Sequence, residues 1–516
     1  MRSRSYVLGL LVAGAGLGVA EFVNGLYDSA RSPVVAVSEA FIEIAPTWLV
    51  EWAKSAFGTN DKLALVIGAL IVITLVGLGV GRLAVAGRHA AAAGITTAMS
   101  VVGALAVVSR PNAGVSALGP TVAGLAASLG VLVWHRVGIS AASRRDGTAT
   151  TDPVAMPPEL QPTRRRFLYG SAAIGALAVG AAGTGRALGR RFGVGSERKE
   201  LTLPAADAAA ETLGEVDVGV EGVTPFVISN DRFYRIDTAI VSPQVRASDW
   251  SLRIHGMVDE ELTLTFEDLL ARPQVERYMT LSCVSNEVGG RLVGNALWQG
   301  ALLAPLLEEA GVDPGAQQLV SRSEDGWTCG TPVAEVMDGR DSMLAVRMNG
   351  EPLPVDHGYP VRMVVPGMYG YVSATKWVVE MELTTWDAFD AFWVPRGWDQ
   401  QAPFKMTSRV DTPGNGATVA PGTTAIAGVA WHPHIGIAAV EVRIDDGPWT
   451  EARLADVPST DTWRQWVHEW KATPGRHDIT VRAVNELGER QIEDEAATAP
   501  NGASGYHTIE VDVSDA

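Results

Sequence analysis

The chain has 516 residues, of which 47% are hydrophobic and 19% are charged, and this length allows roughly three or four domains. Its formal charge of −17 is uneven, because residues 1–187 hold 15 Lys or Arg against 9 Asp or Glu, which leaves 26 against 49 for the rest. A strongly acidic soluble part repels phosphate backbones, which argues against nucleic acid as a partner. The chain has only two cysteines, Cys283 and Cys329. They could form one disulfide, but a chain of this size does not depend on a disulfide for its stability.

The first 187 residues contain five apolar stretches that are candidates to cross a membrane, since about 20 helical residues span the hydrocarbon core. In chain order they are Tyr6–Ala20, Leu63–Gly81, Ala91–Val108, Val115–Trp134 and Tyr169–Gly185. The first is the weakest and could also be a signal peptide, although no small-residue cleavage site precedes Glu21. Residues 34–50 carry Glu39, Glu43 and Pro46, which predicts an interfacial or extracytoplasmic helix there.

The last of these stretches follows Thr-Arg-Arg-Arg-Phe-Leu at positions 163–168, which resembles the twin-arginine export signal. The alternative is a plain anchor whose arginines stay on the cytoplasmic side. If these arginines are cytoplasmic, the connecting segments place ten basic residues on that side and four on the other, as the positive-inside rule requires. The sequence therefore predicts a multi-pass protein of the cell membrane, with everything after about residue 188 extracytoplasmic.

The membrane part contains only two histidines, His89 and His135. Both lie near predicted cytoplasmic ends, so we expect no facing pair at mid-depth of the kind that holds a membrane b-type haem. Glycine is frequent in these stretches and favours close helix packing. The membrane part, residues 1–187, is therefore predicted to be an all-α transmembrane bundle that serves as an anchor or docks a subunit.

The rest of the chain divides by pattern into three segments. Residues 188–224 are polar and mixed, which predicts a linker. Between 225 and 404, short strand patterns alternate with helical ones, which predicts an α+β domain. Its strand patterns are Ser251–His255, Gln318–Ser321, Met343–Arg347 and Pro360–Val365, and its helical patterns are Thr265–Ala271 and Leu302–Ala310. Residues 405–516 are all-β, with the strand spacing of an immunoglobulin-like sandwich.

Cys283 follows an apolar run and precedes polar residues that end in Gly289-Gly290, the pattern of a strand that runs into a loop. A lone thiol in that position is a candidate nucleophile or soft metal ligand. The alternative is a buried cysteine that fills apolar space. Cys329 has no comparable setting and is predicted to be a structural thiol.

Residues 225–515 resemble the sulfite oxidase family of molybdopterin enzymes in three separate motifs. The first is Met-Asn-Gly-Glu-Pro-Leu-Pro-Val-Asp-His-Gly-Tyr-Pro-Val-Arg-Met-Val-Val-Pro-Gly at 348–367, continued by Lys376-Trp377. The second is the Cys283 segment followed by Leu297-Trp298. The third comprises Gly428–Trp431, Val440–Val442 and Gly505–Thr508, which look like the family's C-terminal dimerisation domain.

This resemblance implies a molybdenum–molybdopterin cofactor and seven site residues. They are Arg235, Asp237, Cys283, Asn286, His357, Arg362 and Lys376. Cys283 is implied as the thiolate ligand of the metal, with Asn286 beside it in the catalytic loop. Arg362 and Lys376 are implied as the cations that hold the pterin's terminal phosphate. His357 is a further donor to the cofactor, and the Arg235–Asp237 segment falls where the family contacts the pterin.

Three departures from sulfite oxidases argue against sulfite as the substrate. After the cysteine those enzymes read Ala-Gly-Asn-Arg-Arg, whereas residues 284–288 are Val-Ser-Asn-Glu-Val. Val346 stands where they carry an active-site tyrosine, and Ile236-Asp237 stands where they carry Asn-His. Each charge-assisted hydrogen bond that a dianion loses is worth about 1.5–3 kcal/mol.

The sequence therefore predicts a membrane-anchored, extracytoplasmic oxidoreductase that performs two-electron oxygen-atom transfer on a small substrate other than sulfite. The cofactor supplies the chemistry, and the protein supplies binding, orientation and redox tuning. The direction is open, although the lost arginine and tyrosine favour a reductase. The electron-transfer partner is undefined, the C-terminal domain implies a homodimer, and no haem is expected because no haem motif is present. Two alternatives remain: a non-catalytic, membrane-tethered binding or assembly module on the same scaffold, and a divergent sulfite dehydrogenase.

Overall fold

The computed structural model describes residues 2–27, 32–57, 60–110, 113–146 and 162–515. The chain forms two compact units, Met1–Gly193 with Thr238–Ser242, and Val194–Asp237 with Pro243–Ala516. Residues 147–161, in the predicted cytoplasmic loop before the twin-arginine-like motif, lie outside the described residues.

The first unit is helical. Its helices are α1 (Arg2–Asn24), α2 (Pro33–Ile44), α3 (Thr47–Phe57), α4 (Asp61–Val85), α5 (His89–Val108), α6 (Gly119–Asp146) and α7 (Pro162–Gly189). Among the described residues, five helical segments are long and apolar enough to cross a membrane: Ser3–Asn24, Asp61–Val85, His89–Val108, Val115–Val137 and Phe167–Glu200. Each contains one of the five stretches that the sequence predicts.

Helix α1 packs against α4, α6 and α7, and small residues make these close contacts feasible. A Cβ atom added at Gly9 would lie 2.4 Å from the Gly77 carbonyl oxygen of α4, and one added at Gly18 would lie 2.3 Å from the Ala178 carbonyl oxygen of α7. Any larger side chain at these positions would push the helices apart, which explains the glycine frequency in this part of the sequence.

The segment that is predicted to be interfacial forms two short helices, α2 and α3, which are separated at Ala45-Pro46. Proline has no N–H to continue the first helix, and its ring disfavours helical geometry in the preceding residue. Glu43 near the end of α2 forms a bidentate ion pair with Arg110, with N–O distances of 2.7 and 2.8 Å. This pairing offsets the cost of burying the guanidinium of Arg110, which is 6% exposed.

The two histidines of this unit lie close to each other, a proximity that the sequence did not predict. The ring centroids of His89 and His135 are 6.1 Å apart. His89 is the first residue of α5, and His135 lies in the second half of α6. The pair is therefore formed at the ends of the apolar segments and not at their middle.

The second unit begins with an α+β region. Its helices are α8 (Gly195–Glu200), α9 (Phe266–Leu270), α10 (Leu303–Ala310) and α11 (Val333–Val336). Its strands are β1 (Ser251–Gly256), β2 (Leu262–Thr265), β3 (Gln274–Ser282), β4 (Val293–Leu302), β5 (Gln318–Ser323), β6 (Thr328–Pro332), β7 (Met343–Met348), β8 (Glu351–Pro352), β9 (Arg362–Val364) and β10 (Val378–Thr384). They form one sheet in the order β2-β1-β10-β5-β6 and another in the order β3-β4-β7-β8, with β9 paired to β7. Both sheets contribute to one core that includes Ile254, Trp298 and Leu344.

Part of the segment that is predicted to be a linker packs against the α+β region. Leu203 is 7% exposed and belongs to the core. Glu197 of α8 accepts hydrogen bonds from the Ala247 amide at 2.6 Å and from the Tyr359 hydroxyl at 3.0 Å. The sequence does not reveal this role. The spacing of apolar residues cannot distinguish a polar side chain that accepts hydrogen bonds from buried donors from one that is exposed to solvent.

The C-terminal region is all-β. Its strands are β11 (Thr407–Thr412), β12 (Ala417–Val419), β13 (Gly422–Trp431), β14 (Ile437–Ile444), β15 (Thr450–Glu451), β16 (Arg453–Leu454), β17 (Arg464–Ala472), β18 (Gly475–Asn485) and β19 (His507–Val513). One sheet has the order β11-β13-β17-β16 and the other β12-β19-β18-β14-β15. Ile426 and Trp466 of the first sheet share a core with Val442 and Val481 of the second. The immunoglobulin-like classification and the dimerisation role stay predictions.

Candidate active site

Cys283 lies immediately after β3, where the chain enters the loop that leads to β4. Its amide donates to the Leu292 carbonyl at 2.8 Å, so the two ends of the loop are tied together. Its Sγ atom accepts the Ser285 amide at 3.4 Å, and an N–H directed at sulfur favours the thiolate form. Cys283 is 9% exposed, and neither Cys283 nor Cys329 forms a disulfide. The strand therefore places one free thiol at its end.

Asn286 acts on the loop itself. Its side-chain oxygen accepts the Leu292 amide at 2.7 Å, and its backbone amide donates to the Cys283 carbonyl at 3.0 Å. These bonds fix the turn that positions the thiol. A catalytic role for Asn286 stays a prediction.

The C-terminal sheets hold the same loop from the other side. Arg409 of β11 donates to the Gly290 carbonyl at 2.7 Å and is paired with Asp411 at 2.6 Å. Gly289 has a φ of +75°, and a Cβ atom there would lie 2.3 Å from Nε2 of His507. Only glycine fits this position, because the backbone is left-handed and the imidazole ring lies against it. The geometry of the Cys283 loop therefore depends on residues more than 100 positions away.

Arg362 of β9 is a buried cation without an acidic partner. It is 4% exposed, and its guanidinium donates at 3.2 Å to the His357 carbonyl and at 3.3 Å to the Ala374 carbonyl. Its Nε atom has no hydrogen-bond partner, and within the described ranges no carboxylate lies at ion-pair distance from it. Burial lowers the pKa of Arg362 to about 10. Its charge lies 5.0 Å from the centre of the Trp298 ring.

Lys376 belongs to an ion-pair network beside this arginine. Its ammonium donates to Asp237 and to the Asp356 carbonyl, each at 2.9 Å. Asp237 also accepts from Arg235 at 2.9 Å, and Arg235 reaches the Asp356 carboxylate at 3.2 Å. Burial lowers the pKa of Lys376 to about 8, and the Asp237 carboxylate opposes that shift. Asp237 therefore partly neutralises one of the two predicted phosphate-binding cations.

His357 is buried next to both cations. Its Nε2 atom donates to the Asn230 carbonyl at 3.1 Å, and its ring meets the Phe233 ring edge-to-face with centroids 5.6 Å apart. Burial, and then the charges of Lys376 and Arg362, lower the pKa of His357 to about 4. The ring is therefore neutral at physiological pH, and the hydrogen bond through Nε2 leaves Nδ1 as an acceptor.

Two tyrosines that the sequence did not single out complete the site. Burial raises the pKa of Tyr234, which also feels the charges of Cys283 and Arg362 and therefore lies close to both residues. Burial and then Cys283 raise the pKa of Tyr369 to about 12. Both hydroxyls therefore stay protonated at physiological pH. The signal for Tyr234 was its position next to Arg235, within a segment that the sequence had already selected.

The predicted residues are thus brought together in one region. Arg235, Asp237 and Lys376 form a network, Arg362 and His357 adjoin it, and Tyr234 lies within electrostatic range of both Arg362 and Cys283. The arrangement fits a phosphate-bearing, thiolate-ligated cofactor. A buried guanidinium with an unsatisfied Nε atom and no counter-ion is costly by itself, and a bound anion removes that cost.

Comparisons with known proteins agree with this geometry. The family model for the oxidoreductase molybdopterin binding domain matches residues 239–393, which include Cys283, His357, Arg362 and Lys376 but not Arg235 or Asp237. The uncharacterised oxidoreductase YuiH of Bacillus subtilis is 35% identical over 149 residues, which cover 29% of this chain and 72% of YuiH.

Sulfite oxidases match over longer stretches at lower identity. The mitochondrial enzyme of Drosophila melanogaster is 27% identical over 345 residues, covering 56% of this chain and 60% of that protein. The mouse enzyme is 30% identical over 255 residues, which cover 40% of this chain and 46% of the mouse protein. The chain therefore spans about half the length of these two relatives.

Among solved structures, the sulfane dehydrogenase SoxCD of Paracoccus pantotrophus aligns with 57% of this chain and 85% of its own, at 25% identity and a TM-score of 0.49. The matched domain and the relatives establish a molybdenum-dependent oxidoreductase with a molybdopterin-binding domain. The chain belongs to the sulfite oxidase family of molybdopterin-dependent oxidoreductases.

Proposed function

We propose that this protein is a membrane-anchored oxidoreductase that transfers an oxygen atom to or from a small extracytoplasmic substrate other than sulfite. The observation that carries the proposal is the buried Arg362, which has no acidic partner among the described residues and, like the free thiol of Cys283, acts electrostatically on the buried hydroxyl of Tyr234. One anionic, thiolate-ligated cofactor would satisfy both groups.

In this proposal Cys283 ligates the metal and Arg362 with Lys376 binds the terminal phosphate of the pterin. Neutral His357 accepts a hydrogen bond at Nδ1, while Tyr234 and Tyr369 donate hydrogen bonds near the sulfur. When bound, the molybdenum cofactor supplies the two-electron exchange that accompanies oxygen-atom transfer. In the reductive direction a substrate oxide takes up two electrons and two protons, the bond to oxygen breaks, and the reduced substrate and water are released.

Sulfite is a poor fit because the five residues that follow the thiol, Val-Ser-Asn-Glu-Val at 284–288, supply no cation. Glu287 and Val288 follow Cys283 in the loop. Val346 lies in β7 and is 1% exposed, so it offers an apolar surface and no hydroxyl group. Arg235, the cation of the neighbouring segment, is already paired with Asp237. A dianion would be desolvated here without the charge-assisted hydrogen bonds that compensate.

A substrate screen tests this function with purified, molybdenum-loaded full-length protein. Reduced viologen is supplied as the electron donor for sulfoxides and amine N-oxides, and ferricyanide as the acceptor for sulfite. We expect turnover of at least one oxide and a kcat/KM for sulfite that is lower by tenfold or more. Efficient sulfite oxidation would establish the divergent sulfite dehydrogenase instead. A loaded protein that turns over no substrate would support the non-catalytic module.

The anchoring and sidedness are proposed from the five apolar helices and the distribution of basic residues. Asp446 and Arg88 are both exposed, so Asp446→Cys and Arg88→Cys provide matched labelling sites in a Cys283→Ser, Cys329→Ser background. An impermeant maleimide added to intact spheroplasts should label the first variant and not the second. The reverse pattern would contradict the proposed topology. Adding Arg164→Lys and Arg165→Lys to the Asp446→Cys variant should abolish its labelling if export uses the twin-arginine route.

A further inference from the structure

A passage leads from solvent towards the Cys283 loop. Its inner part is a small pocket of about 10 Å³ with Ser282, Asn286, Tyr369, Met406 and Trp431 in its lining, which is room for about one water molecule. Its outer part is a cleft of about 510 Å³. The two cavities share Glu287, Val288, Ala503 and Ser504 in their linings. They are therefore consecutive parts of one passage between the Cys283 loop and the C-terminal sheets.

The charged side chains that line this passage are acidic. Glu287 lines both parts, and Glu495 lines the outer cleft. Among the described residues that line either cavity there is no lysine, arginine or histidine. Both carboxylates are exposed, so their charges act directly on a molecule that enters.

The cations nearby are already engaged or point elsewhere. Lys405 donates to the Gly502 carbonyl at 2.6 Å, and Arg409 is paired with Asp411 at 2.6 Å. Arg291 is exposed on the same loop as Glu287 but is not among the lining residues. The passage therefore presents two carboxylates with no lining cation to balance them, followed by the apolar and aromatic surfaces of Met406 and Trp431.

We propose that the outer cleft of this passage is the site at which the substrate enters and that it selects uncharged or cationic oxides, such as dialkyl sulfoxides or tertiary amine N-oxides, over anions, with Glu287 as the specificity-determining residue. The inference rests on the proposed oxygen-atom transfer. A carboxylate-lined cleft concentrates cations and depletes anions, and such focusing changes association rates by about tenfold or more. The effect weakens as salt is added, because the Debye length falls from about 30 Å at 0.01 M to about 10 Å at 0.1 M.

Turnover provides the first test. The loaded full-length enzyme is given three sulfoxides of similar size, with reduced viologen as the electron donor. One sulfoxide carries a quaternary ammonium group, one is uncharged and one carries a sulfonate group. We expect kcat/KM to be at least tenfold higher for the cationic than for the anionic compound at low salt, with the difference shrinking at high salt. Glu287→Gln should reduce the ratio several-fold, whereas Glu451→Gln, an exposed carboxylate of β15, should leave it unchanged. Equal values for the anionic and cationic compounds would overturn the proposal.

A second test needs no turnover and therefore separates this inference from the proposed function. Full-length apoprotein carrying Cys329→Ser has Cys283 as its remaining thiol. It is treated with a cationic or an anionic methanethiosulfonate. Each reagent transfers its alkylthio group to Sγ of Cys283, which forms a mixed disulfide and releases methanesulfinate. Rates are divided by those for free cysteine, so that intrinsic reactivity cancels. We expect Glu287→Gln to lower the cationic-to-anionic rate ratio by threefold or more. A ratio that Glu287→Gln does not change would refute the role of Glu287, whether or not any oxide is turned over.

Discussion

Replacing Arg362 with methionine separates two effects of the buried guanidinium: it destabilises the folded apoprotein, and in the proposal it stabilises the bound cofactor. The pKa of Arg362 falls from its ordinary value to about 10 because the charged form is buried. At about 1.4 kcal/mol per pKa unit, this shift corresponds to about 3 kcal/mol of destabilisation. Because the folded-state pKa is lower than the unfolded-state pKa, this destabilisation is fully present below pH 10 and is relieved as the pH rises above 10.

Methionine removes this cost but also removes two long hydrogen bonds, at 3.2 and 3.3 Å, each worth about 0.5 kcal/mol. We therefore expect Arg362→Met to raise the free energy of unfolding of the apoprotein by about 2 kcal/mol. In the loaded protein the phosphate loses a charge-assisted partner worth about 1.5–3 kcal/mol, so cofactor retention should fall at least tenfold.

The assay is urea denaturation of full-length protein in detergent, prepared with and without cofactor, together with pterin and molybdenum content. Trp298, whose ring centre lies 5.0 Å from the guanidinium, contributes to a fluorescence signal close to the substitution. Arg277→Met is the matched control because Arg277 is paired with Asp341 at 2.6 Å, and it should weaken both forms alike. The reasoning is refuted if Arg362→Met destabilises the apoprotein by about 1 kcal/mol or more, or leaves cofactor content unchanged.

The pKa of Lys376 is lowered to about 8, so this lysine loses its charge as the pH rises through 8. We therefore expect the apoprotein to bind inorganic pyrophosphate more weakly at higher pH, which calorimetry at pH 7, 8 and 9 measures. Lys376→Arg should flatten that pH profile, and a wild-type affinity that is constant across the range would contradict the assignment. Gly289→Ala should destabilise the protein by about 3 kcal/mol, since it combines a left-handed backbone with a contact at 2.3 Å to His507. Gly488 has a φ of +81° and open space around it, so Gly488→Ala should destabilise the protein by only about 1 kcal/mol. Equal decreases of Tm in the two variants would show that the His507 contact is unimportant.

Local patterns in the sequence predicted the elements that carry the site. The apolar run before Cys283 predicts a strand that ends at the thiol, and β3 ends at Ser282. The five apolar stretches predict the five long helices. Both successes rest on periodicity and length within about 20 residues, where the physical signal is local.

The contacts that shape the site are long-range, and the sequence did not predict them. Lys376 and Asp237 are 139 positions apart, and Arg409 reaches the carbonyl of Gly290 over 119 positions. The pairing of Lys376 with Asp237 depends on how β10 and the segment before β1 meet in the folded chain. For the same reason the sequence predicted Lys376 as a phosphate-binding cation and Asp237 as part of the pterin-contact segment, but it did not predict that the two side chains pair.

The assignment of Cys283 as the metal ligand is tested most directly by X-ray absorption at the molybdenum edge. Wild-type protein, Cys283→Ser and Cys329→Ser are compared, because both thiols are buried and outside any disulfide and the proposal assigns the metal to Cys283 alone. We predict one sulfur ligand fewer in Cys283→Ser than in the wild type, and an unchanged sulfur count in Cys329→Ser. A full complement of molybdenum with the wild-type sulfur count in Cys283→Ser would contradict the account.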